Sequence, residues 1–179
     1  PCYTIQSHPR LAGLQLIRAT PEHVTSLPER GEGCNHDLWI QGETPRESVS
    51  ICIEAKADEP FGNHTVAEYS AAACRRSEQG APTRAPEKID ALLSMVDGDL
   101  SVWGDVRYQL LAATCGTVLQ AKSDGAPLAV FLVHEFRTHL TTAENLQLNS
   151  RDFDEYLKAL SVGAGAAGGL LGAVLMEGI

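Results

Sequence analysis

The sequence predicts an α/β protein with a mixed central sheet flanked by helices. Three observations predict it. In 48–54, Val49, Ile51 and Ile53 alternate with Ser50, Cys52 and Glu54, the period-two pattern of an extended strand. Residues 127–134 form a continuous apolar run of strand length, which suits a central strand covered on both faces. Between them, 65–122 places apolar residues repeatedly at helical spacing.

In chain order, 1–18 is mixed, with an apolar cluster of Leu11, Leu14, Leu16 and Ile17. Thr20-Pro21-Glu22 has the order of a helix start: a hydroxyl cap, proline in the first helical position, an acid in the first turn. It predicts a helix over 20–27, ended by Pro28. Residues 30–33 form a turn. A strand over 35–40, a turn at 42–45 and the strand from 48 onward predict a hairpin. Thr65 and Glu68 match a capping box, which predicts a helix to about residue 77. Ile89, Leu92, Leu93 and Val96 predict a helix over 86–96. Over 104–122 the apolar residues and alanines leave little polar surface, so that helix is expected to be buried. A helix over 151–160, capped by Ser150, and a last strand over 170–176 complete the order.

Composition bounds the rest. A chain of 179 residues suits one domain, 1–179, with a sizeable core. Apolar residues make up 44% and charged residues 21%, ordinary for a globular protein. The five cysteines, at 2, 34, 52, 74 and 115, are odd in number and form no CxxC pair. That argues against a zinc ribbon or a disulfide framework and for reduced thiols in a cytoplasmic setting. The apolar 159–176 is glycine-rich and only marginally long enough for a bilayer, so no membrane association is expected. The net charge of −9 counts against broad binding to duplex DNA, which depends on neutralising phosphates.

The candidate chemistry lies at the end of the 48–56 strand. Glu54 and Lys56 are two apart and leave the same strand face, opposite Val49, Ile51 and Ile53. Charges at the end of an apolar strand are costly to bury unless paired or metal-bound. The hairpin brings Asp37 near Glu54. Two carboxylates beside a lysine make a site for Mg²⁺, which takes hard oxygens and fills its remaining positions with water. The plain alternative is a surface ion pair between Glu54 and Lys56. Arg107 and Gln109, near the start of the buried helix, diverge by about 200°. One is expected at the site and the other toward solvent.

Asp37 followed by Glu54-Ala55-Lys56 resembles the PD-(D/E)XK nuclease superfamily. The strings Glu54-Ala55-Lys56-Ala57-Asp58-Glu59-Pro60-Phe61-Gly62 and Arg107-Tyr108-Gln109-Leu110-Leu111 are similar to a bacterial branch with a nuclease-like core. Where the superfamily often has proline before the first acid, this chain has His36. The resemblance covers the chain from about residue 20 onward and implies a restriction-endonuclease-like core. It also implies a metal-dependent phosphodiesterase acting on DNA or RNA. Asp37, Glu54 and the Ala55 carbonyl would bind Mg²⁺ or Mn²⁺, Lys56 would position water, and Arg107 or Gln109 would touch the phosphate. Nucleic acid is then the expected partner, with a homodimer also open. The net charge supports a second expectation, a non-catalytic binding or regulatory protein on the same fold.

Overall fold

The computed structural model describes residues 8–29 and 31–163, and the chain is α/β. Its strands are β1 (Gln15–Thr25), β2 (Cys34–Glu43), β3 (Ser48–Lys56) and β4 (Leu128–Glu135), in the sheet order β1-β2-β3-β4. The helices are α1 (Val66–Glu78), α2 (Ala85–Met95), α3 (Leu100–Trp103), α4 (Tyr108–Asp124) and α5 (Ala143–Gly163). The expected strand over 170–176 lies outside the described residues.

β1, β2 and β3 run antiparallel in sequence, and β4 lies parallel to β3. The β2–β3 hairpin sets Leu38 opposite Ile53 and Gly42 opposite Val49. Thr44 closes its loop, accepting the Arg46 and Glu47 N–H groups on its hydroxyl. A parallel neighbour cannot be reached by a tight turn, and α1 to α4 form the crossover between β3 and β4.

α1 begins with the expected capping box: Thr65 Oγ1 accepts from Glu68 N–H, and the Glu68 carboxylate accepts from Thr65 N–H. α4 is the most buried helix and ends at Gly125, whose φ of 65° is the left-handed closure that glycine adopts without strain. Period two in the strands separates two apolar clusters. On the helix side, Leu92, Trp103, Val106, Leu110, Leu111 and Tyr156 pack together. On the other face, Leu11, Leu14, Ile40, Val49, Ile51 and Leu128 do so.

Three expectations need correction. Residues 20–27 are not a helix, because Ala19 and Thr20 pair with Ile40 and Trp39 of β2. Pro21 is tolerated because β1 is an edge strand, where a missing N–H need not break a ladder. The buried helix starts at Tyr108 rather than 104. Arg107 is extended and bridged to Thr65, and Val66 N–H donates to the Val106 carbonyl at 2.8 Å. α5 starts at Ala143 rather than 151, with Thr142 Oγ1 accepting from Asn145 N–H, so Ser150 lies within it. The N-terminal apolar cluster also divides: Leu11 and Leu14 are buried, while Leu16 and Ile17 are exposed.

Gly116 sets how closely α4 approaches β2. A Cβ there would stand 2.9 Å from Cys34 Cβ and 3.1 Å from His36 Nε2. Gly116→Val is therefore expected to destabilise the protein by about 1–3 kcal/mol, read as a lowered urea midpoint at unchanged slope.

Candidate functional site

The β2–β3 ladder has its last pair at Leu38 and Ile53. One step beyond, Asp37 takes over from the backbone: its Oδ2 accepts the Ala55 N–H at 2.6 Å. A carboxylate capping a strand end in this way holds Asp37 beside Glu54 without a further ladder bond.

Glu54 and Lys56 leave the helix-side face of β3, as period two requires, and form a buried ion pair. Lys56 Nζ stands 2.7 Å from Glu54 Oε1, with the two side chains 6% and 5% exposed. Gln109, on the first turn of α4, donates its Nε2 to the same oxygen at 2.5 Å. Glu59 stands 3.8 Å from Lys56 Nζ, and the Phe61 ring lies 5.7 Å from it. Burial is the main influence on the Glu54 carboxyl and raises it. The Lys56 hydrogen bond and charge oppose this, and the charges of Asp37 and Glu59 add to it.

Among the described residues, neither Glu54 Oε2 nor Asp37 Oδ1 takes a hydrogen bond. Each acid thus keeps one hard oxygen, and Ala55, which follows Glu54, gives its N–H to Asp37. That donor set fits a cation such as Mg²⁺, which is held by one or two carboxylates and completed by water. No cluster of three or more His, Cys, Asp and Glu side chains arranged for a metal occurs among the described residues. Cys34 and His36, a candidate soft pair, stand 4.0 Å apart without a further ligand.

Arg107 and Gln109 part company, but Arg107 is extended rather than helical, and its side chain, 15% exposed, does not turn to solvent as expected. Gln109 reaches Glu54, while Arg107 Nε pairs with Asp152 of α5 at 2.6 Å. The Asp152 side chain is only 7% exposed. α5 adds a row that the sequence reading missed. Asn145 donates to the Asp58 carboxylate, and Asn149 donates to the Glu59 carbonyl and to Glu135. Asn145, Asn149, Asp152 and Tyr156 recur at helical spacing, a signal hidden by starting the helix at 151.

His36, where the superfamily often has proline, is fully buried, and its Nε2 has no hydrogen-bond partner. Burial first, and the nearby His23 second, push its pKa down to about 4, against the opposing charge of Asp37. Burial also pushes the Cys34 and Cys115 thiols up to about 12 and Cys52 up to about 11. Burial thus favours the protonated thiol, the unreactive form, at all three.

The chain matches the model of a family described as a domain of unknown function (DUF6946) over residues 3–179, and it belongs to that family. No curated protein and no solved structure matches it.

His36 gives the stability a pH dependence. The unfolded histidine takes up a proton near pH 6.5, and the folded one only near 4. Between these values the unfolded state binds more protons, so stability is fully present above pH 6.5 and falls as pH drops toward 4. The span corresponds to about 3 kcal/mol. In EDTA, the loss of urea stability from pH 7 to pH 4 is expected to be smaller for His36→Gln than for the parent. Parallel curves would contradict it.

Proposed function

We propose that this DUF6946 member is a metal-dependent phosphodiesterase of the PD-(D/E)XK type, a nuclease acting on DNA or RNA. The observation that carries the reading is the meeting of Asp37 and Glu54 at the end of the β2–β3 hairpin, with Lys56 two residues on and on the same face. The strand arrangement supports it: three antiparallel strands, then a helical crossover to a fourth strand parallel to the third. That order is compatible with a restriction-endonuclease-like core.

In this reading Asp37, Glu54 and the Ala55 carbonyl would hold Mg²⁺ or Mn²⁺. When bound, the ion would supply Lewis acidity at a phosphate oxygen and acidify a bound water. Lys56 orients the attacking water or stabilises charge on the phosphate. Gln109 fixes Glu54 Oε1, which would leave Oε2 for the ion. Arg107, anchored to Asp152 through Nε, keeps its terminal nitrogens for a phosphate. No helix among the described residues is long and apolar enough to cross a membrane. The reading adds a cytoplasmic setting with reduced thiols and nucleic acid as partner.

A second reading, a non-catalytic binding or regulatory protein, has its own observation. Glu54 Oε1 is already engaged by both Lys56 and Gln109, and the net charge is −9. Cleavage of single- and double-stranded DNA and RNA with Mg²⁺ or Mn²⁺ separates the two. Glu54→Gln and Lys56→Ala are each expected to reduce turnover at least about a hundredfold. Unfolding midpoints belong beside these rates, because removing Lys56 leaves Glu54 buried without its cation. Activity unchanged in both variants would end the nuclease reading. Absence of cleavage, with no Mn²⁺ binding by calorimetry, would favour the second.

A further inference from the structure

Beyond the site, β4 runs out at Glu135, the register partner of Lys56, and the next residue is tied to the same strand end. Phe136 N–H donates to the Lys56 carbonyl at 2.7 Å. Phe131 and Val133 pack in the helix-side core, so alternation sends His134 to the other face of the sheet. The His134 and Phe136 rings meet at 4.2 Å between centroids, and Phe136 is 47% exposed. The loop that follows carries Arg137, with its side chain 74% exposed, and Leu140 at 72%.

This exposed apolar surface sits on a held loop. Thr141 Oγ1 accepts from Thr138 N–H at 2.8 Å, and Asp58 accepts from Thr142 N–H at 2.8 Å and from its hydroxyl at 2.9 Å. Arg137 Nε donates to Glu135, and its terminal nitrogens take no partner among the described residues.

We propose that Phe136, backed by His134 and flanked by Arg137, is a stacking platform for an unpaired base, which makes single-stranded nucleic acid the substrate class. The proposal rests on the phosphodiesterase reading and adds to it what the site acts on. Every base has a flat face that stacks on an aromatic ring, whatever the sequence. In a duplex those faces are already covered by neighbouring bases. A chain of charge −9 gains little from tracking a duplex backbone, so affinity has to come from contacts that a duplex cannot offer. The platform lies at the same strand end as Glu54 but on the opposite face of the sheet, so a single strand stacked there and crossing that lip would bring its backbone to the acids. Arg137 supplies a cation on the way.

The test uses the intact protein in Mn²⁺ with a fluorescein-labelled phosphorothioate single strand of about 12 nucleotides, and the same sequence as a duplex. Fluorescence anisotropy should show the single strand bound more tightly, with Phe136→Ala weakening it about tenfold and Phe136→Tyr restoring it. Phe136→Trp should show its emission quenched by the single strand and not by the duplex. Equal affinity of parent and Phe136→Ala for the single strand overturns the platform, even where Mn²⁺-dependent cleavage is found. Phe136-dependent binding without any cleavage keeps the platform and removes the phosphodiesterase reading. Self-association lost in Phe136→Ala, with no single-strand binding, makes the loop a contact between copies and overturns the proposal.

Discussion

The buried pair of Glu54 and Lys56 is the constraint on which the strand ends depend. Taking two charges out of water costs several kcal/mol for each ion, and attraction alone repays this only with good geometry and further hydrogen bonds. The surroundings supply them: a 2.7 Å contact, the amide of Gln109, the carboxylate of Glu59 and the ring of Phe61. Gln109 reaches the pair from the start of α4, and Glu59 and Phe61 from the loop after β3. The position of that loop and of the α4 start is thus tied to one ion pair.

The same ends are where a sheet of this kind offers room. β3 and β4 are parallel, so their carboxyl ends lie side by side, and the segments that leave them meet: Thr142 and Asn145, after β4, donate to Asp58, after β3. The departure of β2 is marked by Asp37, whose carboxylate replaces the ladder by taking Ala55 N–H. α4 begins at the same place, and Gln109 is its second residue. From there its side-chain amide reaches Glu54.

The parts of the fold readable from sequence are those in which a local signal agrees with tertiary packing. The hairpin, the β4 strand, the α1 capping box and the body of the buried α4, though not its start, fall where periodicity and capping place them. Thr20-Pro21-Glu22 misled because proline's missing N–H is tolerated both in a first helical turn and on an edge strand, and only pairing with β2 decides between them. Ser150 misled in a similar way: a hydroxyl before an apolar run suits a cap, but Thr142 caps the helix two turns earlier. At the site, the Glu54–Lys56 geometry follows from strand alternation. The Gln109 contact with Glu54 and the Arg107 contact with Asp152 do not, since both depend on how helices distant in sequence lie across the sheet.

In the phosphodiesterase reading, charge would link the ion to the substrate. Asp37, Glu54, Asp58, Glu59, Glu135 and Asp152 gather around the strand ends, while Lys56 and Arg107 are already engaged by acids. A polyanion approaching this rim meets repulsion of order 1 kcal/mol or more for each unscreened near charge. A divalent cation between Asp37 and Glu54 would reverse the local sign, so in the phosphodiesterase reading ion and backbone strengthen each other's binding reciprocally. In the proposed platform, a base stacked on Phe136 would contribute affinity that does not depend on this charge balance. On that reading an acidic protein would hold a nucleic acid by two separate means, one at the face of a base and one through the ion.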